Sequence, residues 1–204
     1  MMEEKINYDK KLEGIIKSLD YKPKLLLHSC CGPCSSYVIT YLSEFFDITI
    51  LYYNPNIEPD KEFEKRKKTQ LELIKKLNLK NVSFMDIEYS NNDFKNIVKD
   101  HENDKEGGIR CHLCYDLRLT KTAILAKENN FDYFCTTLTV SPYKNSNVIN
   151  TVGEKISKYY DIKWLYSDFK KKDGYKKSIE LSKKYNLYRQ NYCGCSYCPN
   201  YGSD

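Results

Sequence analysis

The stretch Lys24-Leu25-Leu26-Leu27-His28-Ser29-Cys30-Cys31-Gly32-Pro33-Cys34 (KLLLHSCCGPC, residues 24–34) passes from one kind of local order to another. Its first half is a short unbroken apolar run, the pattern of a buried strand. In its second half Pro33 presets φ for a first helical turn, and Val38, Ile39 and Leu42 follow at helical spacing. The reading is a strand that turns directly into a helix, with three cysteines at the turn.

On either side the same alternation continues. Leu12, Ile15, Ile16 and Leu19 predict a helix before the strand. Further strands are expected at 48–53, 82–89, 133–137 and 162–166, and helices near 60–78, 93–100, from Cys111 onward, 146–159 and 174–185. In the helix at 60–78 the apolar face is read as Phe63, Leu71, Ile74 and Leu77. Strands alternating with helices imply right-handed crossovers and a parallel sheet. The expected class is α/β, a Rossmann-like (HUP-like) parallel sheet of about five strands with helices on both faces. The α/β catalytic domain is expected over 1–185. A Cys-rich C-terminal tail, 186–204, is expected to pack near the active site. Chemistry in such sheets gathers beyond the carboxyl ends of the strands, where the turn at Cys30 would stand.

The chain has 204 residues, 41% hydrophobic and 30% charged, enough apolar surface for a folded globule and too much for a disordered chain. The N-terminus has no apolar signal region, and no stretch approaches the roughly 18 apolar residues a membrane span needs. The expectation is a cytoplasmic protein with no membrane partner. Nine cysteines, an odd number, fit metal binding or redox work better than a disulfide framework. The net charge of +5 is uneven: residues 61–80 and 163–184 each carry eight Lys/Arg against three acidic residues. Two basic stretches suit a polyanion, and they also suit plain solvated helix faces.

Cys111-His112-Leu113-Cys114 is a CxxC at a helix start, where the helix dipole is expected to lower the thiol pKa values. Alone it is half a tetrahedral site. The cysteines at the first turn are the nearby candidates for the other half, and four thiolates would suit either zinc or a [4Fe–4S] cluster. Cys31-Gly32-Pro33-Cys34 also spells the dithiol motif of thioredoxin, but the alternation of strand and helix runs well past the size of that fold. Cys193-Gly194-Cys195 is a CxC whose disulfide would close a small strained ring, the mark of a labile relay bond. Cys198 makes a further CxxC with Cys195, so a small zinc site is the alternative there. Cys135, inside a strand, reads as a core thiol. No phosphate-binding glycine loop is present.

Taken together, LLLHSCCGPC, YYNPNIEP followed by Arg66, GGIRCHLCYDLRLTKTA, FDYFCTTLTVSPYKN and DFKKKDGYKKSIELSKKYNLYRQNYCGC, spanning about residues 24–195, resemble the cobalamin-independent epoxyqueuosine reductases of the QueH type. The resemblance implies reduction of the epoxide of epoxyqueuosine to queuosine, in a tRNA with a GUN anticodon, with electrons from an unidentified donor. It assigns a [4Fe–4S] cluster to Cys30, Cys31, Cys111 and Cys114, and a redox-active disulfide to Cys193 and Cys195. Cys34 is a candidate ligand for an additional iron or zinc ion, and Cys198 lies outside the family motif. Proton donors are sought among His28, Tyr115 and Asp116. For the anticodon, Arg110, Arg118 and Arg189 are candidates for phosphates and Tyr53, Tyr143 and Tyr192 for base stacking, with Asn54 and Arg66 as further substrate contacts. A zinc-stabilised RNA-binding module without catalysis is the main alternative from another class.

Overall fold

The computed structural model describes residues 6–198. Five parallel strands form one sheet: β1 (Lys24–His28), β2 (Asp47–Leu51), β3 (Val82–Met85), β4 (Tyr133–Thr136) and β5 (Lys163–Trp164), in the order β3-β2-β1-β4-β5. The order reverses between β1 and β4, so the crevice beyond their carboxyl ends is the switch point of the sheet. Leu26 of β1 faces Thr49 of β2 on one side and Phe134 of β4 on the other.

The helices are α1 (Tyr8–Lys17), α2 (Gly32–Leu42), α3 (Asp60–Leu77), α4 (Asn91–Ile97), α5 (Ile109–Glu128), α6 (Ser146–Tyr160) and α7 (Gly174–Lys184). They divide into two layers, and the pleat of β1 shows how. Leu25 and Leu27 point into a core with Leu12, Val38, Ile39, Leu42 and Leu73, whereas Leu26 points into the opposite core with Leu119, Ala123, Ile149 and Trp164. A strand covered on both faces must be apolar at every position, which is why residues 25–27 read as a run rather than an alternation.

The start of α2 is set by close approach. Cys31 caps it in extended backbone, Pro33 occupies the first turn, and a Cβ on Gly32 would stand 3.0 Å from Thr69 Cγ2 and 3.2 Å from the Thr69 carbonyl oxygen. Glycine lets α3 run against the cysteine turn. On its other side α2 packs along α7, so α2 lies between the two lysine-rich helices.

Several expected boundaries and faces change. β3 ends at Met85 rather than residue 89, and β5 has only two ladder residues instead of 162–166. β5 is an edge strand whose neighbour ends early: β4 turns into a 3-10 turn (Thr137–Val140), leaving only Tyr133 and Phe134 in register with it. On α3, Leu71 is 42% exposed, and the buried face is Phe63, Arg66, Thr69, Gln70 and Leu73. The stripe is helical, but three of these five residues are polar because the middle of α3 runs against the cysteine turn. Cys135 is fully buried, its Sγ 3.3 Å from the Leu165 carbonyl oxygen, as a core thiol should be. Among the described residues no helix is long and apolar enough to cross a membrane.

Candidate metal and thiol centre

At the end of β1 the backbone turns outward and presents its cysteines to the crevice. Asn54 donates to the Ser29 carbonyl at 2.8 Å, the Cys30 N–H donates to Thr137 Oγ1 at 3.2 Å, and Ser35 Oγ donates to the Cys31 carbonyl at 2.8 Å. The segments that follow strands β1, β2 and β4 therefore each contribute a bond that fixes this turn. The sulfurs of Cys30, Cys31 and Cys34 lie within 4.8 Å of one another, the spacing a shared metal ion requires. Thr137 Oγ1 also donates to Cys30 Sγ at 3.4 Å. Hydrogen bonds from Cys31 and Cys34 hold the Cys30 thiol well below its ordinary range. As the other side of the same contact, Cys31 is pushed up to about 12 and Cys34 is pushed up strongly.

The first turn of α5 carries the CxxC pair, whose sulfurs lie outside the close group of Cys30, Cys31 and Cys34 and are linked to it through Arg118, which is near both Cys30 and Cys114. Cys111 Sγ accepts from the Gly107 N–H at 3.3 Å, and Cys114 Sγ from Arg118 Nη1 at 3.7 Å. The expected depression of the thiols by the helix dipole is overturned at Cys114, where burial raises the pKa and Arg118 offsets only part of the rise. Arg118 is the hub of the site. It is buried, donates through Nε to His28 Nε2 at 3.2 Å and through Nη2 to Asn54 Oδ1 at 2.5 Å, and lies close enough to Cys114, Cys30 and Cys193 to feel their charge. His28, fully enclosed with Nδ1 2.8 Å from Thr136 Oγ1, is lowered to about 3 by burial and by Arg118. It is a neutral imidazole behind Arg118.

The C-terminal thiols close the crevice. Cys111, Cys114, Cys193, Cys195 and Cys198 line one cavity with Arg118, Tyr115 and Lys144. The segment carrying them is pinned to the loop after β2: Asn56 donates to the Cys193 carbonyl at 3.3 Å, the Glu58 N–H to the Gly194 carbonyl at 2.8 Å, and Tyr192 Oη to the Glu58 carbonyl at 3.1 Å. Cys195 packs in a small apolar cluster with Phe94 and Val98. No disulfide is present among the described residues.

The remaining candidates scatter. Arg110 is buried and committed to carbonyl oxygens, Glu102 and Asp104 at 2.6 Å each and Tyr197 at 3.3 Å, so it clamps the loop before α5 to the C-terminal segment. Arg66 is buried, bonds Glu62 at 2.6 Å and lies 4.8 Å from the Tyr192 ring centre. Tyr53 donates to Asp93 at 2.8 Å and is buried, which removes its ring from base stacking. Asp116 opens onto a separate hollow with Thr120 and Tyr159 on another part of the surface. Tyr143 is 79% exposed, and Arg189 is exposed with its guanidinium 5.6 Å from the Tyr175 ring.

Sequence reasoning missed Lys144. It comes from the loop after β4 at the switch point and lines the cavity. Burial works to lower its pKa, but the nearby Cys193, Tyr115, Cys30 and Cys34 raise it, so it is a firm cation. The signal was its place in a polar loop following a central strand. Gln70 was missed too: its Oε1 accepts from Ser29 Oγ at 2.6 Å behind the cysteine turn.

The family model described as "Epoxyqueuosine reductase QueH" matches residues 25–200 of the chain. A protein of that name from Streptococcus pyogenes serotype M1 is 43% identical over 200 residues, covering 95% of this chain and 78% of that one. The Staphylococcus aureus (strain Mu50) protein of the same name is 43% identical over 203 residues, with 96% and 85% covered. The Thermotoga maritima one is 36% identical over 174 residues, with 84% and 88% covered.

Proposed function

The chain belongs to the QueH family of epoxyqueuosine reductases, and we propose that it removes the epoxide oxygen of epoxyqueuosine at the wobble position of a tRNA with a GUN anticodon, giving queuosine and water. The reaction takes up two electrons and two protons. The protein is thus an oxidoreductase acting on tRNA, and what supports the finer reading is that Arg118 and Lys144 lie between the Cys30, Cys31 and Cys34 group and the cavity lined by the other two cysteine segments.

The donor set suits a thiophilic metal group. Sulfurs dominate it, and Thr137, Gly107 and Arg118 each donate to one of them, the hydrogen bonding that anionic ligand sulfurs need. Cys30, Cys31, Cys111 and Cys114 would hold a [4Fe–4S] cluster, with Cys34 left for an additional iron or zinc ion. Such a cluster, when bound, supplies electrons one at a time at low potential.

The other residues take roles around it. Arg118 places a buried positive charge beside Cys114 and Cys30, offsetting anionic sulfur in a low-dielectric site. His28 and Asn54 are positioning residues, holding two edges of that guanidinium. Lys144 keeps a proton at Nζ on the cavity wall, and Tyr115 keeps its phenolic proton there because burial raises its pKa. These two replace His28 and Asp116 as the proton donors we favour for the departing oxygen. Cys193 and Cys195 form the dithiol that returns electrons to the site, becoming a disulfide. The lysines of α3 and α7 flank the cysteine-bearing helix and would receive the anticodon-stem phosphates.

The test is nucleoside mass analysis of tRNA carrying epoxyqueuosine after incubation with reduced, cluster-loaded protein. Loss of one oxygen atom from the modified base is expected. An unchanged nucleoside under those conditions would overturn the reading.

A further inference from the structure

The segment Cys193-Gly194-Cys195-Ser196-Tyr197-Cys198 holds three thiols, and the relay above uses two. Cys198 is folded back by a turn whose closing bond runs from its N–H to the Cys195 carbonyl at 3.0 Å. The Cys193 thiol is within hydrogen-bonding reach of the thiols of both Cys195 and Cys198. All three line the cavity beside Cys111 and Cys114. Cys195 and Cys198 are buried alike, at 7% and 8% exposed; what separates them is that Cys195 packs against Phe94 and Val98 while Cys198 lies outside that apolar cluster.

We propose that Cys198 is a third redox residue, which takes over the disulfide first formed between Cys193 and Cys195 and hands it to an external dithiol. The proposal rests on the relay reading and extends it. In the first step Cys198 Sγ attacks Cys193 Sγ. The Cys193–Cys198 bond forms, the Cys193–Cys195 bond breaks, and the Cys195 sulfur leaves with the electron pair and takes the proton that Cys198 gives up. No net electrons move. In the second step one thiolate of an external dithiol attacks Cys198 Sγ and frees Cys193. Its other thiol then displaces Cys198 from the mixed disulfide, so the dithiol is oxidised and two electrons and two protons reach Cys193 and Cys198.

The direction follows from ring size. A disulfide across a single intervening residue is held away from its preferred geometry, whereas one across four intervening residues is not, so exchange relieves strain. The oxidised enzyme then stores its disulfide in the wider loop and restores Cys195 to the thiol state.

The experiment uses full-length, cluster-loaded enzyme oxidised with one equivalent of diamide, blocked with N-ethylmaleimide and mapped by mass spectrometry. The wild type is expected to carry mainly the Cys193–Cys198 linkage, and Cys195→Ser is expected to form that linkage on oxidation. In Cys198→Ser only Cys193–Cys195 should form, and re-reduction by dithiothreitol should slow roughly ten-fold. A wild-type map with Cys193–Cys195 alone, or wild-type re-reduction in Cys198→Ser, overturns the role of Cys198. Dithiol-driven turnover retained by both Cys193→Ser and Cys195→Ser would instead bring down the relay reading itself.

Discussion

A methyl group on Gly194 would meet Ile57 Cγ1 at 2.7 Å and Arg66 Nη1 at 3.1 Å, at φ +105°. Only glycine lets Cys193 and Cys195 lie so flat on the loop after β2. Gly194→Ala combines the clash with a backbone cost of about 1–2 kcal/mol. Because the strain falls on a peripheral segment, we expect the domain to stay folded while Cys193 and Cys195 lift from the cavity. Their alkylation by a water-soluble maleimide, followed by mass spectrometry, should quicken several-fold; unchanged kinetics would mean that the glycine does not hold them there. At this scale the cysteines were legible because thiols at CxxC and CxC spacing have few other uses. Arg110, Tyr53 and Asp116 were not: residue type says what a side chain can bond, and only the packing says which way it points. Arg110 turns its two Nη groups to carbonyls, and Asp116 faces a different hollow.

Helix α6 shows local preference and packing in opposition. Glycine inside a helix normally costs about 1 kcal/mol relative to alanine, yet Gly153 stands where an added Cβ would be 2.4 Å from the Trp164 ring. Trp164 is buried, donates to Asn150 Oδ1 at 3.1 Å and cannot slide away without breaking that bond. Overpacking of this kind costs about 1–3 kcal/mol, so it outweighs the propensity gain. Gly153→Ala should lower Tm by a few degrees in a thermal melt, and a rise would show that the indole moves freely. Among the helices, α2 was readable because Val38, Ile39 and Leu42 all face the core. On α3 the hydrophobic signal assigned the helix correctly but misplaced Leu71, since Arg66 and Gln70 occupy inward positions that an apolar search skips.

Across the whole molecule the helices of the two basic stretches, α3 and α7, flank the same helix, α2. Part of their charge is spent locally: Lys67 pairs with Asp86, Lys170 with Asp168, and Lys172 with Glu13 and Asp9. Lys68 and Lys75 on α3 and Lys176 and Lys183 on α7 remain exposed. Reversing these four to Glu should weaken tRNA binding and reduce the salt slope by about 0.9 for each phosphate no longer neutralised. Lys121→Glu and Lys155→Glu, on the helices of the opposite layer, should do neither. A titration series across salt concentrations checks both, and equal effects from the two sets would disperse the proposed tRNA face.

The linear order of residues was enough to settle the alternation of strands and helices, the placing of the first cysteines at a strand end, and the family likeness, because hydrophobic period and thiol spacing are local properties. The tertiary structure decided that Lys144 and Gln70 belong to the site, that Arg118 joins His28, Asn54 and Cys114, and that Cys198 comes within hydrogen-bonding reach of Cys193. Each of these depends on residues far apart in the chain, or on a turn, being brought within bonding distance, and no period or motif along the chain carries that distance.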